Sequence, residues 1–487
     1  MKREAMSRIP VDPVLYEIYI RSFSDSNADG VGDLLGVASK LDYLAELGVD
    51  GIWLTPIFES PQFDFGYDVS DYYRVFAEYG NLRDFDLLVA EAHQRGIAVI
   101  LDMILGHTSK AHPWYRERPD MYIWADKVPN NWVSAFGGSA WSRDGETGRH
   151  YYHRYYPEQP SLNWANPLVR GSMHEVIRFW VDRGVDGFRL DALDGIAVDS
   201  LLRDEPAADP ALLAGRDKDS WADYWKLQHI YTTNQPQVLE ELRELVRAFP
   251  GASFVVEADL PTKALPPYTD IADSSFAFDF LRAPLNGKVI GDIIAGAGIR
   301  GNLAWALSNH DQPRLVSRWG RDLAGVAAVL LLTLPGWSFI YQGDEIGMVD
   351  GKGGPVTYDR SGRDAVRHPM QWSSAGGFSA GVPWLPYTDP ARCNAADQRN
   401  VPGSMLELYK DLIRLRRKLS GPVKVLTSSP DGISFRRGDH LIDINLAGES
   451  RPAAGSPGSQ VVLSTRPLTE DGRLPGRSAM VCLQPRS

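Results

Sequence analysis

Four acidic residues stand at or just past the ends of short apolar runs, where a folded chain could bring them to a common opening. Asp102 closes the run from Ile97, Asp191 closes the run from Gly187, Glu257 closes the run from Ser253, and Asp311 follows the run Leu303 to Asn309. Two carboxyl groups held about 5–5.5 Å apart can divide the work of breaking a glycosidic bond with retention, one attacking carbon and the other protonating the leaving oxygen. Arg189, two residues before Asp191, faces the same side of an extended strand and could keep Asp191 ionised by charge pairing, as a nucleophile requires. A lone strand-end carboxylate serves equally well as a helix cap or an ion-pair partner, so the argument depends on their number and arrangement.

The elements that must position these groups follow a repeated unit. Leu34, Val37, Leu41, Leu44 and Leu47 fall at helical spacing, Gly48 suits a C-cap, and Gly51 to Thr55 reads as a buried strand. Phe85, Leu88, Val89 and Ala92 lead in the same way to Gly96 and the strand Ile97 to Asp102. Met173, Val176, Ile177, Trp180 and Val181 lead to Gly184 and the strand Gly187 to Asp191. Such alternation implies a parallel sheet covered by helices. With Val14 to Ile20, Ser253 to Glu257, Leu303 to Asn309 and Trp337 to Tyr341, the pattern predicts an α/β fold of the (β/α)8 TIM-barrel type. An open doubly wound sheet is the alternative; polar residues gathered at the C-terminal strand ends favour the barrel.

Between Thr108 and Pro167 the repeat gives way to a stretch rich in Trp, Tyr, Gly and Pro, too long for an ordinary connection. Past Gly421 short alternating runs, Gly432 to Arg436 and His440 to Asn445, suggest a small antiparallel β domain after a helix at Leu406 to Leu419. The division expected is therefore 1–107 and 171–420 for the barrel, 108–170 for an inserted loop-rich subdomain after the third strand, and 421–487 for the β domain.

A net charge of -11 with interspersed signs speaks against nucleic acid and anionic membranes as partners and suits a small neutral substrate. Cys393 and Cys482 have no metal-ligand spacing, and the N-terminus has no apolar core of a signal peptide. These features predict a cytoplasmic protein with unpaired thiols.

Taken in order, Asp102-Met103-Ile104-Leu105-Gly106-His107, Gly187-Phe188-Arg189-Leu190-Asp191, Glu257 and Asn309-His310-Asp311 resemble the motifs of glycoside hydrolase family 13, the α-amylase family, over Val11 to about Lys418. The resemblance implies Asp191 as nucleophile, Glu257 as general acid/base and Asp311 as a third carboxylate holding sugar hydroxyls, with His107 and His310 binding the same glucosyl unit. Neighbouring anions would also raise the pKa of Glu257 and help keep it protonated.

Further segments resemble the oligosaccharide-cleaving branch of α-glucosidases and oligo-1,6-glucosidases: Asp64-Phe65-Gly66-Tyr67-Asp68, Phe136 to Trp141, Gln159-Pro160-Ser161-Leu162-Asn163-Trp164 and Arg367-His368-Pro369-Met370-Gln371-Trp372. By that likeness Tyr67 stacks on the terminal glucose, Phe136 lines the space beside it, Gln159 belongs to the substrate site, and Asp64 meets Arg367 at a closed pocket end to hold O4. Simple packing is the other reading of the aromatics. Ala192, after Asp191, leans towards α-1,4 over α-1,6 substrates by the same likeness. Gly106, Ser161 and Val256 depart from the usual Asn, Asp and small residue at their positions.

The loop Asp25 to Asp33 sets oxygen ligands at alternate positions around a glycine turn. A solvated acidic turn is one reading; the resemblance implies one structural Ca2+ held by Asp25, Asn27, Asp29, Asp33 and the Val31 carbonyl, and no organic cofactor. The activity implied is a retaining, exo-acting α-glucosidase acting on short oligosaccharides or disaccharides. Transfer of the glucosyl group to a sugar or alcohol, as in disaccharide isomerases and transglucosylases, is the alternative, and oligomeric state is open. A non-catalytic protein on the same fold is disfavoured because all three carboxylates are present.

Overall fold

The computed structural model describes residues 9–210, 222–297, 302–354, 360–455 and 458–484. Eight parallel strands close into a barrel in chain order: β1 (Val14–Ile18), β2 (Gly51–Leu54), β3 (Ala98–Ile104), β4 (Gly187–Asp191), β5 (Ser253–Val256), β6 (Ser274–Phe276), β7 (Leu303–Trp305) and β8 (Trp337–Tyr341), with β8 pairing back onto β1. Every residue of these strands is buried, as a sheet covered on both faces requires.

Strand alternation sorts the side chains into two layers. Leu15, Trp53, Ala98, Ile100, Val255, Phe276, Ala304 and Phe339 belong to an inner cluster, whereas Tyr16, Ile52, Leu54, Val99, Phe254 and Val256 pack outward in the main core with the helices. The inner columns continue by steps of two from Leu15 to Glu17, from Ile100 to Asp102, from Gly187 through Arg189 to Asp191, and from Val255 to Glu257. The apolar plug thus ends at the C-terminal rim, and in these four strands the next inward position is ionisable. Register places Arg189 beside Asp102 on β3 and beside Val255 on β5.

β1, β2, β5 and β7 stop short of the runs that suggested them, while β3 continues past Asp102 to Ile104. Ile20–Ser22 forms a 3-10 turn after β1, and the Leu34 to Leu47 helix divides into Leu34–Ala38 and Leu41–Leu47. Gly48 ends the second piece at φ 94, a left-handed cap that only glycine adopts without strain. The sixth barrel strand, Ser274–Phe276, lies in a segment that apolar periodicity does not mark.

Residues 105–166 separate β3 from the helix Pro167–Asp182. They contain a three-stranded antiparallel sheet of Trp124–Ala125, Trp141–Arg143 and His150–Tyr152, packed around Trp132, Trp141 and Tyr152. After Met405–Arg416, five strands form a separate antiparallel sheet: β9 (Val423–Ser429), β10 (Gly432–Arg437), β11 (His440–Asn445), β12 (Gln460–Ser464) and β13 (Ser478–Leu483), in the order β9-β10-β11-β13-β12. No helix among the described residues is long and apolar enough to cross a membrane.

Candidate active site

A cavity of about 1150 Å³ opens over the C-terminal ends of the strands. Asp64, Tyr67, His107, Phe136, Asp191, Glu257 and Asp311 all line it. Gln159, Arg189, His310 and Arg367, expected from sequence to be part of the substrate site, are not on its wall but lie buried behind it. Arg189 Nη1 donates to Asp191 Oδ1 at 2.7 Å and to Asp102 Oδ1 at 2.6 Å, while its Nη2 bonds the Glu257 carboxylate. One guanidinium therefore ties three carboxylates together. Of these, Asp191 and Glu257 have side chains 11% and 21% exposed and can be reached from the cavity; Asp102, at 0%, cannot.

The turn after β4 brings the two reachable carboxylates into register. Ala192 adopts the left-handed region (φ 41, ψ 43), costly for a residue with a Cβ. In that conformation the Ala192 N–H donates to Glu257 Oε2 at 3.1 Å, and the Leu193 N–H donates to the Glu257 carbonyl at 2.9 Å. Burial pushes Glu257 up to about 7, Arg189 pulls it down, and the Asp191 charge raises it again. Burial likewise pushes Asp191 up to about 6, against the pull of Arg189. Arg189 thus moderates the rise in Asp191 without cancelling it. For Asp311, burial alone would raise the pKa, but His310, Arg363 and Arg367 hold it well below the usual carboxylate range. Of these three carboxylates, Asp311 is held anionic while Asp191 and Glu257 titrate close to neutrality.

The wall beside these groups differs from the expected Asp64–Arg367 pair. Arg363 Nη2 bonds Asp64, and Arg363 Nη1 donates to Asp311 Oδ1 at 3.2 Å. Arg367 donates from Nη2 to Asp311 Oδ1 at 2.8 Å and from Nε to the His310 carbonyl at 2.9 Å. The 3-10 turn Asp364–Val366 sets the two arginines one turn apart, so the nearer one reaches the cavity and the farther one braces Asp311 from behind. Arg363 lies four residues upstream of Arg367, outside the motif Arg367 to Trp372 read from sequence.

Gln159 donates to Asp64 Oδ2 at 3.0 Å, so this residue of the insertion holds Asp64 from behind. Tyr67 turns its hydroxyl inward to Asp102 Oδ2 at 3.0 Å and leaves its ring on the cavity wall. His107 Nε2 lies 3.0 Å from the Tyr67 carbonyl, and burial lowers its pKa to about 4, so the ring is neutral. Phe136 packs against Tyr156 at 4.3 Å between centroids, with the Arg363 guanidinium 5.7 Å from its ring. Further out, Asp194 with Arg154, Asp259 with Arg282, and Tyr224, Trp225 and Phe278 extend the wall. None of these outer residues belongs to the motifs read from sequence.

The α-amylase catalytic-domain model matches residues 17–288 and 296–422, a span that contains all three acids and the barrel apart from the start of β1. The chain belongs to the α-amylase family, glycoside hydrolase family 13. Among its relatives, a probable α-glucosidase of Rhizobium meliloti (strain 1021) is 39% identical over 83% of this chain and 82% of that protein. An oligo-1,6-glucosidase of Parageobacillus thermoglucosidasius is 35% identical over 84% of this chain and 83% of that one. Among solved structures, the α-glucosyl transfer enzyme XgtA superposes with a TM-score of 0.90 at 34% identity, covering 97% of this chain and 98% of the other.

Three positions where this family 13 enzyme departs from the usual motifs can now be placed. Val256 packs in the strand–helix layer, facing away from the cavity. Ser161 Oγ accepts from the Arg154 N–H at 3.1 Å and so helps shape the insertion. At Gly106 a Cβ would meet nothing nearer than Ile196 at 3.8 Å, so steric room does not require glycine there.

In the acidic loop of the same enzyme, Asp25, Asn27 and Asp29 each accept the N–H two residues on, at 2.9, 2.9 and 2.8 Å. Asp33 caps the helix Leu34–Ala38 through the Gly36 N–H. Asp25 also accepts from Gly30 and Ser379, which ties the loop to the segment bearing Trp384. The donor chemistry is all oxygen and suits a hard cation, but among the described residues no three His, Cys, Asp or Glu side chains cluster as a metal site.

Proposed function

We propose that this chain is a retaining, exo-acting α-glucosidase that removes terminal glucose from short oligosaccharides or disaccharides through a covalent glucosyl-enzyme. Asp191 is the nucleophile, Glu257 the general acid and then base, and Asp311 the anion that holds sugar hydroxyls. The observation that carries this reading is that one guanidinium, Arg189, bonds both reachable carboxylates at the cavity floor. Its rigid fork limits their separation, which favours the retaining spacing of about 5–5.5 Å over the inverting range of about 6.5–9.5 Å.

In the first step Asp191 attacks the anomeric carbon while Glu257 gives its proton to the leaving oxygen; in the second, Glu257 takes a proton from water as that water displaces the carboxylate. The proton inventory matches, since Glu257 lies near 7 and Asp191 near 6. Asp64, Arg363 and Asp311 form the closed end, where a free O4 hydroxyl can donate to Asp64 and accept from Arg363. Tyr67, His107 and Phe136 flank the same glucosyl unit, while Gln159, His310 and Arg367 hold its contacts from behind.

A second reading, transfer or isomerisation through the same intermediate, has support from the likeness to XgtA. Trehalulose synthase MutB adds to it, with a TM-score of 0.86 at 29% identity over 97% of this chain and 99% of that one; it has been crystallised with its substrate sucrose. NMR of maltose, isomaltose, sucrose and trehalose reactions as products form separates the two. With sucrose, whose leaving group is fructose, α-glucose released first supports retaining hydrolysis and β-glucose released first overturns retention; a new disaccharide from any of the four supports transfer. By the reading of Ala192, maltose should be preferred to isomaltose.

For the acidic loop, Asp25, Asn27, Asp29, Asp33 and the Val31 carbonyl would hold one Ca2+ that stiffens the loop and takes no part in the reaction. The buried, unlinked Cys393 and Cys482 accord with a cytoplasmic location.

A further inference from the structure

We propose that Glu17 is a positioning residue whose buried carboxylate keeps His310 doubly protonated, so that the single hydroxyl proton of Tyr67 is free for Asp102. The proposal concerns how the glucosyl site is wired and rests on the reading above.

Glu17 and His310 are both 0% exposed, and Glu17 Oε1 lies 2.6 Å from His310 Nδ1 and 3.2 Å from the His310 backbone N. Among the described residues Glu17 pairs with His310, and Glu17 Oε2 has no hydrogen bond. An ionised carboxylate so far from water is stable only with an opposite charge beside it, and the His310 ring is the group placed to carry that charge.

The other ring nitrogen decides the proton count. Tyr67 Oη lies 2.6 Å from His310 Nε2 and 3.0 Å from Asp102 Oδ2, and Arg189 Nη1 donates to it at 3.4 Å. Tyr67 has one proton to give. Burial raises the pKa of Asp102, and the Arg189 bond at 2.6 Å opposes that rise and favours the ionised form, which accepts. If His310 were neutral with its proton on Nδ1, Nε2 and Asp102 would compete for that one proton, and one contact would become two facing acceptors. With both ring nitrogens protonated every contact is a proper hydrogen bond: Nδ1–H to Glu17, Nε2–H to the Tyr67 oxygen, and Tyr67 O–H to Asp102.

The groups facing the ring are Glu17 from β1, Tyr67 from the loop after β2, Asp102 across Tyr67, Asp311 at 3.6 Å, and Arg367, whose Nε bonds the His310 carbonyl. Tyr19 lies 6.2 Å away between ring centroids and Trp53 5.8 Å. Burial opposes charge on the imidazole, but Asp311 and Glu17 raise its pKa above the ordinary value.

The chain from Glu17 to His310, Tyr67, Asp102 and Arg189 ends on Asp191 and Glu257. Neutralising His310 removes a cation close to Asp311 and Asp102, so the pKa of Asp191 should rise. The test is long-range proton–nitrogen NMR of the full chain labelled with 15N-histidine, one of ten histidines being assigned by its loss in His310→Gln. At pH 7 both His310 ring nitrogens should be protonated in the natural protein, and one should lose its proton in Glu17→Gln. The acidic limb of kcat/KM should then move up by about one pH unit, a loss of about tenfold at its foot. An unprotonated ring nitrogen in the natural protein overturns the proposal. So does a folded Glu17→Gln that keeps His310 doubly protonated or leaves the acidic limb in place. If Glu17→Gln does not fold, the natural protein's spectrum decides alone. That spectrum needs no turnover, so failure of the glucosidase reading would be seen separately.

Discussion

Replacing Arg363 by Ala tests the proposed selection of a terminal glucose by the closed end. Arg363 is 15% exposed and bonds Asp64, itself 6% exposed, so its removal strands a buried carboxylate with Gln159 as its remaining side-chain donor. Breaking a buried pair in this way costs about 3–5 kcal/mol of folding stability, and the residual exposure and Gln159 argue for the lower end. Substrate loses less, because a hydrogen bond to a charged group contributes about 1.5–3 kcal/mol, or about 10- to 150-fold in kcat/KM. The assay compares p-nitrophenyl α-glucoside with its 4-deoxy analogue, since their ratio is independent of the fraction of folded enzyme. The unmutated chain should prefer the hydroxylated substrate by at least that factor, and Arg363→Ala should cut the ratio by about 10- to 150-fold, leaving what the Asp64 contact contributes. Arg367→Ala, which removes a brace of Asp311, should lower both rates while preserving most of the ratio. In the double mutant Asp64→Ala, Arg363→Ala the stability loss should be less than the sum of the single losses. A ratio unchanged in Arg363→Ala, or abolished only in Arg367→Ala, would refute this account of the closed end.

Asp191→Asn should abolish turnover with the fold intact, because the amide cannot form the glycosyl ester; full activity in a verified variant would remove the mechanism. Glu257→Gln should slow disaccharides far more than aryl glucosides with good leaving groups, and equal losses across a leaving-group series would count against its role. Since Asp191 must be ionised and Glu257 protonated, kcat/KM should rise with pH through an apparent pKa of about 6 and fall through one of about 7; the two values belong to the coupled pair. A profile flat from pH 5 to 9 would contradict this. Asp29→Ala should lower thermal stability and remove its calcium dependence without moving the pH profile, and absence of metal binding by the natural protein would dismiss the loop assignment.

The barrel could be read in the sequence wherever a strand carried a run of branched or aromatic residues, as in Ile97 to Asp102. Its sixth strand could not: Ser274–Phe276 has three residues, two of them serines, and only pairing on both sides makes it a strand. The carboxylates were legible because strand alternation fixes which residues follow the inner plug. Which arginine meets Asp64 was not, because a 3-10 turn and a loop after β8 decide that, and neither has a periodic signature. The outer wall escaped for a related reason, since Asp194, Tyr224 and Phe278 come from separate connections with no shared spacing. The protonation of His310 needed a partner on β1, far upstream, which no local motif contains.

The same long reach bears on how the chain folds. Arg363 and Asp64 are 299 positions apart, Glu17 and His310 are 293, and Gln159 and Asp64 are 95. Local helices and adjacent strand pairs can form while most of the chain is still unstructured, but the sugar pocket cannot. It needs the first strand, the insertion and the segment after the eighth strand at once. Catalytic competence should therefore be the last property to return on refolding, behind helical signal and compaction. On a ribosome it can arise only after the loop containing Arg363 has emerged.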